Sequence, residues 1–147
     1  MNTPISALLE RKGRLVHAVT PAMTVAEAVA EMNRLRVGCV VVVDGSKLVG
    51  IFTERDVLKR VVGTGADPRH ARVASMMSEN VITIAPSATV EDTMALFTEK
   101  RCRHLPVIAD GRLAGLISIG DISRWLVDTH RAECEHLKNY ISGGLAV

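Results

Sequence analysis

Two turns of the chain carry the same pair of reactive side chains, a hydroxyl followed three residues later by a carboxylate. The first pair is Thr53 and Asp56, and the second is Ser118 and Asp121. Free N–H groups at a helix start bind phosphate, and a nearby hydroxyl adds a donor. A carboxylate can accept hydrogen bonds from both hydroxyls of a ribose. The pairs therefore predict nucleotide contacts, with ribose at the two aspartates and phosphate at Thr53 and Ser118.

The same spacing also has a purely structural use. A Ser or Thr followed three residues later by an acid is the arrangement that caps the first turn of a helix. A single occurrence would favour the cap. Here it occurs twice, each time after a glycine (Gly50 or Gly115) that lets backbone approach closely, which favours a functional role. The two roles do not exclude each other.

The two pairs belong to an internal repeat. A shift of 65 positions aligns Pro21 with Pro86 and Arg36 with Arg101, and it continues without a gap to the paired aspartates. Such a repeat marks two copies of one supersecondary unit, neither of which buries its apolar face alone. Two copies form a pseudo-twofold pair, and the interface between them is a favoured place for a ligand.

Each copy has the pattern β-α-β-β-α, which predicts an α+β fold. In the first copy the predicted elements are a strand at Val16–Val19, a helix capped by Thr24, a hairpin of Val40–Val43 and Leu48–Phe52, and a helix beginning near Glu54. In the second they are Val81–Ile84, a helix capped by Thr89, a hairpin of Leu105–Ile108 and Leu113–Ile117, and a helix beginning near Ile119. The apolar stripe Val25, Ala28, Val29 and Met32 recurs as Val90, Thr93, Met94 and Phe97.

The register divides the chain into five parts. They are an N-terminal segment 1–15, repeat 1 at 16–62, a linker 63–75 rich in turn formers, repeat 2 at 76–127, and a C-terminal helix extension and tail 128–147. The closing helix of repeat 2 is predicted to run from about Ile122 to Ile141, well beyond its counterpart. Its apolar side packs either on a second subunit, giving a homodimer, or on the chain's own segment Ile5–Leu9. Both alternatives stand.

Composition and charge disfavour several classes of protein. The net charge of +2 and the four aromatic residues argue against nucleic-acid binding, and no apolar run is long enough to span a bilayer. Three widely spaced cysteines fit no disulfide framework, and no signal peptide is visible, so a cytoplasmic protein is expected. His130 and Cys134 share a helix face, but a zinc site needs about four ligands, so no metal is expected.

The motif Gly-h-h-Thr/Ser-x-x-Asp (h apolar), at the end of each β-α-β-β-α copy, resembles the CBS domain, and two tandem copies resemble a Bateman module. Val73–Met77, Arg103–Val107 and the tail motif Tyr140–Gly143, similar to stand-alone bacterial CBS pairs, extend the resemblance. It implies adenine nucleotides (AMP, ADP, ATP or NAD) in clefts between the repeats, with ribose at Asp56 and Asp121. It also implies base contacts at His17, Ala18, Val19, Val37, Gly38, Cys39, Ile82, Thr83, Ile84 and Leu105.

The two copies differ where that family contacts phosphate. Arg103 and His104 stand opposite Gly38 and Cys39, and Arg55 stands opposite Gly120. Arginine can hold phosphate bidentately, and an adjacent anion favours the charged form of histidine. Two unequal sites are therefore predicted, with phosphate contacts from a set of four residues: Arg55, Arg101, Arg103 and His104. The alternative is that Arg101 and Arg103 form a solvated face.

These features predict a regulatory module that senses an adenine nucleotide and passes its occupancy to an unidentified partner protein. No catalytic residues or catalytic cofactor are expected, because no nucleophile–base–acid order stands out. Two alternatives remain. One is an enzyme acting on the nucleotide or through a redox-active thiol, and the other is nucleic-acid binding through Arg69, His70, Arg72 and Arg101–His104.

Overall fold

The computed structural model describes residues 2–145 and the side chains of residues 2–139. In chain order the elements are α1 (Ile5–Lys12), β1 (Ala18–Val19), α2 (Val25–Leu35), β2 (Cys39–Asp44), β3 (Lys47–Thr53), α3 (Glu54–Asp56, continued by a π-helical stretch, Val57–Val62), α4 (Val73–Met76), α5 (Val90–Lys100), β4 (His104–Ala109), β5 (Arg112–Ser118) and α6 (Ile119–Leu145). The predicted α+β architecture with two copies of one unit and a long final helix is confirmed.

Each copy contains the predicted antiparallel hairpin. β2 pairs with β3, and β4 pairs with β5. Both hairpins bear an irregularity at matched positions, between Val42 and Val43 and between Val107 and Ile108. In the second hairpin Asp110 and Gly111 both have positive φ, 53° and 74°, as a two-residue turn between twisted strands requires. The hairpins end in the two hydroxyl–carboxylate turns, so the sheet register fixes where those turns lie.

The first strand is where the two copies differ. β1 pairs in parallel with β2, and Val41 donates its N–H to the carbonyl of His17 at 3.1 Å. The prediction of a strand at Val81–Ile84 is wrong, because only Ile84 forms a bridge there, to Val107. Pro106 occupies the register position of Val41 and has no N–H to donate, so the second ladder loses the bond that extends the first.

The two amphipathic helices lie on the cores as their stripes predict, with one exception. Thr24 and Thr89 accept the N3 backbone N–H groups of α2 and α5, at 3.2 and 3.0 Å. The buried residues are Val25, Ala28 and Met32 in α2 and Val90, Thr93 and Phe97 in α5. Met94 was predicted to be in the stripe but is 39% exposed. Leu96 packs on the core instead, which centres the buried face of α5 away from Met94.

Each core is completed by the segment that precedes the other copy. Ile5, Leu8 and Leu9 of α1, which comes before repeat 1, belong to the core of repeat 2. Val73, at the end of the linker, and Met77, at the start of repeat 2, belong to the core of repeat 1. The predicted linker boundary at residue 75 therefore falls inside α4, whose residues pack with repeat 1.

Equivalent main-chain hydrogen bonds hold the two exchanged segments. Ile5 donates to the carbonyl of Ala88 at 2.8 Å, and Val73 donates to the carbonyl of Met23 at 2.9 Å. Ala88 and Met23 are matched by the repeat register. The segments led by Ile5 and Val73 are thus pseudo-twofold counterparts, and each spans from one copy to the other.

Two matched glycines let these segments approach the hairpins. A Cβ added at Gly50 would lie 2.6 Å from the Sδ of Met77, and one added at Gly115 would lie 2.6 Å from the Cδ2 of Leu9. At Gly50 the carbonyl oxygen of Ser78 is also only 2.9 Å from that position. Any larger residue would push the exchanged segment off the strand.

The first half of α6 packs on the chain's own N-terminal segment. Ile122 is 3% exposed, and Trp125 and Leu126 pack against the core that contains Leu9. Arg11 forms an ion pair with Asp128 at 3.2 Å. The alternative of packing on Ile5–Leu9 is confirmed for this half. Further along, Leu137 is 59% exposed, and the side chains of Tyr140 and Ile141 lie outside the described residues.

Within the part of the chain that the structure describes, no helix combines the length and apolarity needed to cross a membrane.

Replacing Leu9 by Ala should destabilise the protein by about 2–5 kcal/mol, because it removes a fully buried side chain from the core of repeat 2. Urea unfolding measures the loss. Leu15, 80% exposed three residues after α1, is the matched control, and its replacement by Ala should change stability by less than about 0.5 kcal/mol. Equal effects of the two substitutions would show that α1 is not part of that core.

Candidate functional site

The first hydroxyl–carboxylate pair closes a helix cap and buries its acid. Thr53 Oγ1 accepts the backbone N–H of Asp56 at 3.2 Å, and Asp56 Oδ2 accepts the backbone N–H of Thr53 at 3.0 Å. Ser78, on the exchanged segment, donates its hydroxyl to Asp56 Oδ1 at 2.9 Å. Arg60 Nε lies 3.6 Å from the same oxygen. Asp56 is 6% exposed, so these donors hold its carboxylate in one orientation.

The second pair forms a matching cap but has a different partner. Ser118 Oγ accepts from the backbone of Asp121 at 3.1 Å, and Asp121 Oδ2 accepts from the backbone of Ser118 at 2.8 Å. The ammonium of Lys12, on α1, lies 2.6 Å from Asp121 Oδ2 and 2.6 Å from the carbonyl oxygen of Leu116. Each carboxylate is therefore bound by the exchanged segment, Asp56 by a hydroxyl and Asp121 by a cation.

The Lys12 contact controls the ionisation of Asp121. Burial raises the pKa of this carboxyl, but the hydrogen bond from Lys12 and the backbone N–H of Ser118 together outweigh burial and hold the pKa below its ordinary value. Asp121 is thus a carboxylate at neutral pH, and a cation already sits against it.

A cavity of about 640 Å³ lies beside the first pair, where repeat 1 faces repeat 2. It brings together eight residues that the sequence predicts as ligand contacts: Gly38, Thr53, Arg55, Asp56, Ile82, Arg101, Arg103 and His104. It also contains polar residues that are not among the predicted contacts, namely Glu54, Lys59, Ser78, Asn80 and Lys100. Lys59 could have been found, because it follows Arg55 by four positions on a predicted helix. Nothing in the sequence alone places Ser78 or Asn80 beside Asp56.

The remaining predicted contacts lie elsewhere. Ser118, Asp121, His17, Ala18, Val19, Val37, Cys39, Thr83, Ile84 and Leu105 do not line this cavity. Val19, Cys39, Ile84 and Leu105 are buried in the cores at 6% exposure or less. These four can offer a ligand little beyond their backbone.

Both sequence departures from the repeat fall on this one cavity. Arg55 comes from repeat 1, while Arg103 and His104 come from repeat 2, yet all three line the same walls. Their register equivalents, Gly120, Gly38 and Cys39, bring no positive charge to the neighbourhood of Asp121. The cavity beside Asp56 thus collects all three departures from the repeat, whereas the cation at Asp121 is Lys12 of α1.

His104 is neutral at pH 7 in this environment. Burial lowers the pKa of its imidazole, and Lys12 and Arg103 lower it further, while Asp121 and Glu54 oppose the effect. An anion placed beside His104 would act in the opposite direction and favour the charged ring.

Two of the three cysteines, Cys39 and Cys102, are poor candidates for thiolate chemistry. Burial, followed by the nearby Asp56 carboxylate, raises the pKa of Cys39 to about 12, so its thiol stays protonated. Burial also raises the pKa of Cys102. Among the residues the structure describes, no group of three or more His, Cys, Asp or Glu side chains is placed to hold a metal ion.

The basic residues proposed for nucleic-acid binding between the repeats are engaged locally. His70 Nδ1 lies 2.8 Å from Asp67 Oδ2, and Arg69 Nε lies 3.5 Å from Asp67 Oδ1. Arg72 donates to the carbonyl oxygen of Ala22 at 2.9 Å. These contacts stabilise the connection and reduce the charge available to a phosphate backbone.

Comparison with known proteins gives one consistent family. The family model described as CBS domain matches residues 13–63 and 73–128. The CBS domain-containing protein CBSX3, mitochondrial, of Arabidopsis thaliana is 38% identical over 152 residues, which cover 97% of this chain and 74% of that protein.

Solved structures agree with the family match. A protein with CBS domains from Burkholderia ambifaria, provisionally described as a signal-transduction protein, has a TM-score of 0.82 and 37% identity, covering 86% of this chain and 95% of its own. A CBS-domain containing protein from Agrobacterium tumefaciens has a TM-score of 0.79 and 41% identity, covering 83% of this chain and 98% of its own.

Replacing Lys12 by Met should lower stability at about pH 7 by about 1 kcal/mol and have little effect at about pH 3. The folded pKa of Asp121 lies below the unfolded value of 3.8, so the stabilisation by Lys12 is present above that value and lost as the pH falls through the folded pKa. Urea unfolding at several pH values measures the difference between variant and wild type.

Lys47→Met is the control for that experiment, since Lys47 is exposed on β3 and has no ion pair among the described residues. Its effect should be near zero at every pH. A Lys12→Met difference that stays constant from neutral to acid pH would contradict the proposed coupling to Asp121.

Proposed function

We propose that this chain, which belongs to the CBS domain family, is a regulatory module that binds an adenine nucleotide beside Asp56 and reports its occupancy to a partner protein. The observation that carries the proposal is the cavity, which unites Thr53 and Asp56 of repeat 1 with Arg101, Arg103 and His104 of repeat 2. It offers ribose acceptors and phosphate donors within one space.

The cavity provides a place for each part of a nucleotide. Apolar side chains of Ile51, Leu58 and Ile82 line it and suit the face of a purine. Asp56 accepts three hydrogen bonds from its neighbours and has acceptor capacity left for a ribose hydroxyl. Ser78 also donates to Asp56 Oδ1, so a ribose hydroxyl would either share this oxygen with Ser78 or replace Ser78 as its donor. The phosphate would then lie toward Arg101.

Signalling would follow from where the cavity lies. One wall belongs to the β3–α3 turn of repeat 1, and the other is formed by Ser78, residues 80–82 and residues 100–104. A ligand that contacts both walls stabilises one relative arrangement of the repeats. A partner that binds that arrangement preferentially is then favoured by the same free energy. No enzymatic step is needed.

The pair of repeats has two half-sites, one at Asp56 and one at Asp121. Their affinities for the nucleotide should differ, as the sequence predicts. A ribose at Asp121 would compete with the Lys12 ammonium, which already occupies Oδ2 at 2.6 Å. Among the described residues, Asp56 has no cation within hydrogen-bond distance, and its ion-pair partner Arg60 lies 3.6 Å away. The Asp56 side therefore binds first.

A second copy of the chain is the proposed cover for exposed apolar residues on the closing helices. Val62 and Val127 occupy the same register position and are 66% and 55% exposed. Matched apolar positions on both repeats suit a twofold interface. Sedimentation equilibrium should give twice the chain mass, and a monomer at all concentrations would contradict this part of the proposal.

The cytoplasm remains the expected location. All three cysteines are free thiols, with Cys39 buried. Unpaired thiols are typical of a reducing compartment.

Asp56→Ala should weaken nucleotide binding by about ten-fold or more, because hydrogen bonds to a charged group are lost, whereas Asp121→Ala should leave it nearly unchanged. Isothermal titration calorimetry of wild type and both variants with AMP, ATP and NAD measures this. The two aspartates are register equivalents, so each variant is the other's control.

Urea unfolding of both variants, done alongside, separates lost binding from lost folding. Absence of binding by the wild type at millimolar nucleotide would refute the function. Equal losses in the two variants would refute the assignment to Asp56.

A further inference from the structure

We propose that the nucleotide bound beside Asp56 carries two or three phosphates, and that Arg55, Lys59, Arg101 and Arg103 bind the phosphates beyond the first. This inference rests on the proposed function and narrows its ligand to an adenosine di- or triphosphate. We call these four residues the basic wall.

The basic wall separates two adjoining cavities. The cavity beside Asp56 and a second one of about 400 Å³ share all four of its residues. The second cavity is otherwise lined by Phe97, Cys102 and Ile119. A ligand with its ribose at Asp56 would reach the second cavity by extending its phosphates along these four side chains. A monophosphate leaves that second space unused.

The four cations of the basic wall are not neutralised by ion pairs in the described part of the chain. No acidic residue lines the second cavity, and none of the four wall residues forms an ion pair among the described residues. Glu54 lines only the first cavity, where its Oε1 packs over Gly38. A single phosphate carries about two negative charges, half of what four cations can neutralise, and each further phosphate adds charge.

The wall is built from both repeats. Arg55 and Lys59 are four residues apart on the helix that begins at α3, and so share a face. Arg101 and Arg103 lie at the α5–β4 corner, which the hydrogen bond from Ile119 N–H to the Arg103 carbonyl at 3.0 Å ties to the start of α6. A phosphate chain on the wall would therefore join the two repeats more strongly than a monophosphate.

The register equivalents show that only half of the wall is repeated. Lys59 and Arg101 correspond to the basic residues Arg124 and Arg36, but Arg55 corresponds to Gly120 and Arg103 to Gly38. A generally basic, solvated surface would not require the cations to gather beside one cavity. On such a surface, removing one wall charge would leave the ratio of ATP affinity to AMP affinity unchanged.

The test compares AMP, ADP, ATP and NAD by calorimetry on wild type, Lys59→Met and Arg124→Met. Wild type should bind ATP about ten-fold or more tightly than AMP, with ADP between them. NAD should bind more weakly than ADP, because its diphosphate is esterified at both ends and carries less charge. Lys59→Met should weaken ATP binding about five-fold and change AMP binding less than about two-fold. Arg124→Met, the matched control, should change neither.

Each other outcome overturns something definite. If AMP binds as tightly as ATP, the inference fails and the proposed function stands. If no nucleotide binds, the proposed function fails and the inference with it. If a single-stranded RNA displaces ATP at comparable concentration, the basic wall is a nucleic-acid surface instead. Lys59 is exposed, so the urea midpoint of Lys59→Met should match wild type, which makes a loss of binding attributable to the charge.

Discussion

The packing of each leading segment on the opposite repeat is the interaction on which the rest of the structure depends. Leu9 lies against Gly115, and Met77 lies against Gly50, so two matched glycines accept two matched segments. Neither core is complete without its exchanged segment. The exchange therefore couples the repeats, because separating them would expose buried side chains in both cores. It also brings a residue of each exchanged segment to the carboxylate of each hydroxyl–carboxylate turn.

That second consequence makes the two half-sites chemically different. The segment on repeat 1 brings a neutral hydroxyl, from Ser78, to Asp56. The segment on repeat 2 brings an ammonium, from Lys12, to Asp121. A pseudo-twofold backbone thus holds one carboxylate beside an open cavity and the other in an ion pair. The basic residues add to the same asymmetry, because Arg55 and Arg103 come from different repeats and meet on one side.

Much of the fold could be predicted from the sequence, because local signals specify it. Thr24 and Thr89 cap the helices they were expected to cap, and both hairpins lie where their turn residues indicate. The first strand predicted for repeat 2 is missing because it depends on a tertiary hydrogen bond that Pro106 cannot donate. Only part of the site could be predicted. The types and spacing of its residues are visible in the sequence, but which of them line one cavity is not. That depends on the exchange of segments between the repeats, a long-range packing arrangement with no local signature.

The most direct test of the account is where ATP perturbs the protein's backbone amides in a ¹H–¹⁵N correlation spectrum. If one half-site binds the nucleotide, the largest shift changes fall within residues 53–59, 80–82 and 100–104. Residues 118–121 and the α1 residues around Lys12 should change little at the concentration that saturates the first set. Changes of equal size around Ser118 and Asp121, or none around Thr53 and Asp56, would contradict the claim that one half-site binds the nucleotide.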